Sequence, residues 1–183
     1  LVLLTHIHGD HFVPATVRSL NHERPTLRWG CCEWMVGPLL SAGVSPRLID
    51  PLAPGTAYNY RLSTGDAFIR PIRLTHNVPN CGYHLTITGQ KAFYATDTGT
   101  LDDISAPGYD LYMIEANHTA EDIARRAEEK RSAGKFSYEF KAALNHLSQE
   151  QAEAWLAQNA GPQSRFVFLH QHHERAVTDD AVV

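Results

Sequence analysis

Apolar and polar positions fall along this chain in blocks whose period changes, and each change marks the edge of an element. Leu1 to Leu4 is a continuous apolar run, the pattern of a short buried strand, and it stops abruptly where the polar segment His6 to His11 begins. That segment therefore belongs to a loop at a strand end. Pro14 is well placed for a helix start, and Ala15 to Leu20 continue a short helix as far as the turn residues Asn21 to Pro25. Leu27 to Trp29 reads as a strand, and Glu33 to Leu40 as a helix interrupted or ended near Gly37-Pro38. Residues 43–66, with Pro46, Pro51, Pro54, Gly55 and Gly65, are expected to hold short strands in a loop-rich stretch.

The middle of the chain has a clearer period. Ala67 to Leu74 alternates with β-favouring residues, Tyr83 to Thr88 and Lys91 to Ala95 flank Gly89-Gln90 as a hairpin, and Leu111 to Ile114 is a further apolar strand. Thr75-His76, Thr96-Asp97 and Glu115 to His118 each lie just past such a strand. Polar residues recurring at strand ends are how an α/β scaffold assembles a site. Thr119 with Asp122 resembles a capping box opening a charged helix over Ala120 to Arg131. Ser148 with Gln151 is a better one, followed by the apolar stripe Ala152, Trp155 and Leu156 and the stop Gly161-Pro162. Arg165 to Leu169 is then a last strand that delivers His170. Strands and helices alternate over most of the length, so the fold class is α/β, layered α/β/α.

Composition narrows the picture. At 183 residues, 43% hydrophobic and 20% charged, the chain has the profile of one globular domain. No apolar run approaches the roughly 18 residues of a spanning helix, and no secretory signal is visible. A formal net charge of −4 excludes a global basic field that would steer the whole surface onto nucleic acid. Three cysteines, two of them adjacent as Cys31-Cys32, argue against a disulfide framework and for a reducing compartment, hence a cytoplasmic protein. The chain opens on Leu1 rather than Met and reaches its densest motif within a few residues, which reads as a piece of a longer protein. The compositional anomaly is histidine: there are 11, with His6, His8 and His11 close together. That points to metal.

Thr5-His6-Ile7-His8-Gly9-Asp10-His11 is the most specific signal. Imidazole nitrogens suit zinc and related transition ions, a carboxylate accepts a harder or a second ion, and the small Gly9 lets alternate side chains turn toward different ions. Taken alone, His76 and His170 also read as structural strand-end histidines, and Asp97 in its Thr-Asp-Thr-Gly turn as a loop cap.

The cluster resembles the signature of the metallo-β-lactamase-fold hydrolases, and Leu74-Thr75-His76, Phe93 to Gly99 and Phe166 to His170 resemble that family's later motifs in the same order. The resemblance implies a four-layer αββα fold whose first strands precede this chain. It also implies two divalent ions, Zn foremost with Mn or Fe as alternatives. His6, His8 and His76 would hold one, Asp10, His11 and His170 the other, with Asp97 bridging and both aspartates orienting the attacking water. Tyr112 to His118 and Asn145 to Ala152 are similar to elements of ribonuclease Z and, more closely, of the small YycJ/WalJ-like proteins. By that resemblance Glu115 orients His146, which acts on the leaving group of a phosphodiester in DNA or RNA. The residues also admit a plainer reading, with Glu115 and His118 capping the next helix and His146 a loop residue. The chain departs from the YycJ-like pattern at Asn77, where Asp is usual, and at Gln171-His172-His173, where Leu-Ser is usual, which puts the substrate in doubt. A lactone or thioester hydrolase is the alternative on the same fold.

Weaker candidates remain. Arg125, Arg126, Lys130, Arg131, Lys135 and Lys141 could bind phosphate, but the interleaved Glu121, Glu128 and Glu129 favour a solvated helix face. Trp29, Trp34, Tyr83 and Phe136 could stack bases and are better read as core or rim. Cys81, five residues past His76, could approach a metal, with a buried small hydrophobe as the default.

Overall fold

The computed structural model describes residues 1–134 and 144–171. Two sheets carry the architecture. The smaller is parallel, in the order β1 (Val2–Leu4), β2 (Trp29–Cys31), β3 (Ile49–Pro51). The larger has six strands in sequence order: β4 (Tyr58–Leu62), β5 (Gly65–Leu74), β6 (Asn80–Ile87), β7 (Gln90–Ala95), β8 (Leu111–Glu115) and β9 (Arg165–Leu169). Pairing is antiparallel from β4 to β7, with tight turns joining β4 to β5 and β6 to β7, and parallel from β7 to β9. The β8–β9 connection carries α3 (Ala120–Ser132) and α4 (Gln149–Asn159), as a parallel crossover requires. The earlier helices are α1 (Pro14–Glu23) and α2 (Val36–Ser41).

Alternation along the strands sorts the side chains into three cores. Leu4, Trp29, Cys31 and Ile49 face Val17 of α1 and Leu39 of α2. The opposite face of the small sheet meets the large sheet, where Leu3 and Leu52 pack with Ile69, Cys81 and Tyr83. Phe93, Ala95, Tyr112 and Ile114 point the other way and bury Ala152, Trp155 and Leu156 of α4. The order helix, sheet, sheet, helix is the expected αββα layering. Trp155 stacks on Phe93 at 5.0 Å, and an apolar side chain of that size contributes roughly 2–3 kcal/mol by leaving water.

Local chemistry sets several boundaries differently from the hydrophobic pattern. The second strand begins at Trp29 rather than Leu27, because Leu27 N–H closes a turn onto the Arg24 carbonyl at 2.9 Å. Glu33 to Leu40 is a 3-10 turn, Glu33–Met35, running into α2. Pro38 does not break α2, since it sits in the first turn, where its missing N–H would have had no helical partner. Both expected caps form. Thr119 Oγ1 accepts from Asp122 N–H at 3.1 Å, and Ser148 and Gln151 satisfy each other's backbone N–H groups at 3.2 and 2.9 Å. No helix among the described residues is long and apolar enough to cross a membrane.

Candidate metal centre

Every sequence-predicted site residue lies at one edge of the two sheets: past the C-terminal ends of β1, β5, β7 and β9, at the end of β8 and, for His146, in the segment before α4. The loop after β1 turns back through His11 and Phe12 N–H bonds to the His8 carbonyl, at 3.0 and 2.8 Å. The loops after β5 and β7 are tied by Gly99 N–H to the Thr75 carbonyl at 2.8 Å and by Thr75 N–H to Thr98 Oγ1 at 3.2 Å. A Cβ on Gly99 would overlap the Leu144 carbonyl, so only glycine lets the segment carrying His146 approach. That segment is pinned to the β8 exit by Asn117 N–H to the Leu147 carbonyl and Gln149 N–H to the His118 carbonyl, at 2.9 and 2.8 Å.

One donor atom from each of His6, His8, His76 and Asp97 forms a group within 4.8 Å, and Asp10, His11 and His170 form a second. Asp97 lies between them: Oδ1 is 3.9 Å from His76 Nε2, and Oδ2 is 3.0 Å from His11 Nε2. His6 is fully buried, with Nδ1 3.0 Å from Thr5 Oγ1 and Nε2 without a hydrogen-bond partner among the described residues. His76 Nδ1–H donates to the Asn145 carbonyl at 3.0 Å, which leaves Nε2 as the lone-pair nitrogen. An orphaned buried imidazole nitrogen beside further imidazoles and carboxylates fits a divalent transition ion.

Glu115 is also fully buried. Oε1 accepts from His146 Nδ1 at 2.6 Å and from His170 Nδ1 at 2.9 Å, while Oε2 accepts the N–H groups of Thr98 and Leu147 at 2.9 and 3.2 Å. The pairing of Glu115 with His146 is the one the sequence resemblance implies. The hold on His170 is one it missed, because nothing in the sequence spacing reports a carboxylate shared between residues so far apart in the chain.

Burial and charge divide the histidines. Desolvation, reinforced by neighbouring imidazoles, pushes His6 down to about 4 and also lowers His76. The Glu115 hydrogen bond lifts His170 to about 9 against its burial, and the Asp97 hydrogen bond raises His11. Burial acts to raise Asp97 and Glu115, but the hydrogen bonds from His11 to Asp97, and from His146 and His170 to Glu115, outweigh it and hold both below their ordinary values.

The weaker candidates separate from the centre. Cys81 is buried with Sγ 3.6 Å from the Thr5 carbonyl and 3.4 Å from Tyr83 Oη, and it joins no ligand group among the described residues. Trp29 and Tyr83 are core, and Trp34 braces the cluster by donating to the Thr5 carbonyl at 3.0 Å. On α3, Arg125 bridges Asp122 and Glu129, and Arg131 bridges Glu128, the expected solvated face. His118 is buried, and its neighbour Thr119 is the cap. Lys135, Phe136, Lys141, His172 and His173 lie outside the described residues.

Two sheets sandwiched between helices, with histidine and carboxylate groups converging at the strand ends, define the metallo-β-lactamase fold. Residues 1–171 match the model of the beta-lactamase superfamily domain, and the chain belongs to that superfamily. Among solved structures it is similar to the metallo-beta-lactamase fold protein YhfI from Bacillus subtilis, with a TM-score of 0.66 at 17% identity over 94% of this chain and 65% of that one. The short form of human tRNase Z gives 0.63 at 16% identity over 92% and 71% of the two chains. Zn(2+)-bound PqqB from Methylobacterium extorquens gives 0.63 at 16% identity over 93% and 58%. The likeness at these identities is one of fold, and the chain spans 65% of the length of YhfI. No curated protein matches it.

Proposed function

We propose that the chain carries the catalytic centre of a dinuclear metal-dependent phosphodiesterase acting on DNA or RNA. His6, His8 and His76 would hold one ion, Asp10, His11 and His170 the other, and Asp97 would bridge the two. Zn suits this nitrogen-rich set, and Mn or Fe would serve where they are more available. Two such ions supply Lewis acidity that brings the pKa of a water toward neutrality and offsets charge on a phosphate.

The observation that carries the phosphodiester reading is the Glu115–His146 pair. With Nδ1 committed to a buried carboxylate at 2.6 Å, Nε2 is the ring nitrogen left to hold a proton, and the side chain is 19% exposed, open to a substrate. Glu115 fixes the ring orientation. An alkoxide leaving from a phosphodiester needs that proton, as a lactone's would, whereas a thiolate leaves without one, so the pair weighs against a thioester. The tRNase Z of similar fold is consistent with a nucleic-acid substrate.

The test is cleavage of 5′-labelled single- and double-stranded DNA and RNA by Zn- or Mn-loaded protein beside His146→Ala. We expect metal-dependent cleavage that falls about 100-fold or more in the variant while its ion content stays at the wild-type value. Hydrolysis of lactones or thioesters but no nucleic acid, by protein shown to carry two ions, would overturn the reading. Loss of an ion from His146→Ala would make that residue a ligand instead.

A further inference from the structure

Among the described non-glycine residues, only Thr88, Asp97 and His170 have left-handed backbone, with φ of 50°, 55° and 52°. Thr88 belongs to the β6–β7 hairpin turn, where such a conformation is ordinary turn chemistry. Asp97 and His170 are candidate ligands, and both are left-handed at the point where the chain leaves a strand. For a residue with a Cβ this conformation costs about 1–2 kcal/mol and persists only where neighbours impose it.

The same kind of group imposes it twice. Asn80, the first residue of β6, is buried and committed on both ends of its amide: Nδ2 donates to the Thr96 and Asp97 carbonyls at 2.9 and 2.7 Å, and Oδ1 accepts Cys81 N–H at 2.8 Å. Asn117, just past β8, donates through Nδ2 to the His170 carbonyl at 2.9 Å. That amide nitrogen also lies 3.2 Å from His170 Nδ1, but Nδ1 faces Glu115 Oε1 at 2.9 Å. The ionised carboxylate requires Nδ1 to be a donor, so the hydrogen bond from Asn117 goes to the carbonyl.

We propose that Asn80 and Asn117 are positioning residues for metal binding, two amide clamps that hold the left-handed backbone of Asp97 and His170 so that the Asp97 carboxylate and His170 Nε2 point into the centre. The inference rests on the reading of Asp97 and His170 as ligands. Asparagine is suited to the task because one nitrogen offers two N–H donors and carries no charge that would compete for a cation. Aspartate has the same shape and, ionised, no donor, so it would set a carboxylate oxygen against the carbonyls it should hold.

The experiment measures Zn affinity by competition with a chromogenic chelator, ion stoichiometry, the Co(II) absorption spectrum and the metal-free melting temperature. The variants are Asn80→Asp, Asn80→Ala, Asn117→Asp and Asn117→Ala, with Asp97→Ala and His170→Ala as references. We expect Asn117→Asp to weaken one ion roughly 10- to 100-fold and leave the other unchanged, and Asn80→Asp to weaken both and shift the Co(II) bands, because Asp97 faces both groups. The metal-free melting temperature of the Asn117 variants should stay near wild type, which separates positioning from general support of the fold. Should Asn80→Asp not fold, Asn80→Ser, with a single donor, reports the same change at smaller amplitude. Wild-type affinity for both ions in the asparagine variants, with ion loss in the two references, would overturn the clamps alone. Wild-type affinity in Asp97→Ala and His170→Ala would overturn the ligand reading and this inference with it.

Discussion

The two candidate ligand groups are built from the same residue types and held in opposite ways. In the group of His6, His8 and His76, the His76 side chain is 1% exposed and its Nε2 lies 3.3 Å from His8 Nδ1, but the His6 Nε2 has no hydrogen-bond partner among the described residues. In the group of Asp10, His11 and His170, the Asp10 side chain is 59% exposed, and the donors satisfy one another. His11 Nε2 is 3.4 Å from Asp10 Oδ2 and 3.0 Å from Asp97 Oδ2, and His170 Nε2 is 3.3 Å from Asp10 Oδ2. An ion entering the first group meets a desolvated lone pair that gains a partner. One entering the second must displace ion pairs that already exist and compete with water. We therefore expect the first group to be the tighter site and the second the more readily exchanged one.

The strongest attack on this contrast removes the residue common to both groups. Asp97→Ala should bring turnover down by about 1000-fold or more and weaken both ions, because its carboxylate lies within 4 Å of histidines of both groups and the two groups act as a unit. The checks are ion content after gel filtration and the rate of phosphodiester cleavage. A variant that keeps both ions and near-normal rate would show that Asp97 only caps its loop.

Single-group variants sharpen the comparison. His6→Leu should abolish tight binding of the first ion, and with it that ion's share of the metal-dependent rise in melting temperature, a gain of about 4 kcal/mol when free metal is 1000-fold above its Kd. In metal-free protein the same substitution should melt at or above the wild-type temperature. It removes a buried unsatisfied nitrogen, worth about 1–3 kcal/mol, which offsets the bond lost by Thr5 Oγ1. Asp10→Asn, exposed and paired only in the second group, should weaken one ion by about tenfold and leave the other in place. The order of ion loss during chelator titration measures both. Equal affinities for the two ions in the wild type would break the contrast.

How much of this was legible in the sequence depends on whether a feature is written locally. The cluster His6 to His11 is a local motif, and the strands before His76, Asp97 and His170 have a clear period, so their arrival at one edge could be anticipated. The caps at Thr119 and Ser148 are equally local and both form. Strands β3 and β4 were less legible, since the three residues of Ile49–Pro51 are too few to show a period. The start of β2 depended on a turn hydrogen bond at Arg24 that hydropathy does not encode. Least legible were the groups that act through others, such as Glu115 on His170, the Asn145 carbonyl on His76, and Asn80 beneath Asp97. Each is a contact across many residues made by an ordinary side chain or a backbone atom, and a single sequence carries no periodic trace of it.

The smallest effect is expected away from the centre, at a histidine that shares the burial of His6 and lacks its orphaned nitrogen. His84 lies on the helix-facing side of β6, its ring 5.1 Å from Phe93 and its Nδ1 2.9 Å from Tyr109 Oη. Arg70 is its partner across the β5–β6 pair, and the Lys91 ammonium lies 5.8 Å from the Tyr109 ring. Burial, with Arg70 adding to it, brings His84 down to about 4. Between pH 6.5 and 4 the unfolded chain takes up a proton at this position that the folded chain refuses, so stability falls as the pH drops through that window and is level above it. The expected loss from this group between pH 7 and pH 5 is on the order of 1–2 kcal/mol. His84→Gln should lessen the pH dependence of metal-free stability by that amount in urea titrations and leave ion content and cleavage rate as they are. An unchanged slope would mean that the folded protein accommodates the imidazolium at His84, while a change in ion content would tie this face of the sheet to the centre. Burial alone therefore does not make a histidine a ligand: His84 and His6 are both held neutral by desolvation, and what sets His6 apart is an unpartnered nitrogen that lies among other donor groups, whereas His118 has an unpartnered Nδ1 but joins no such group among the described residues.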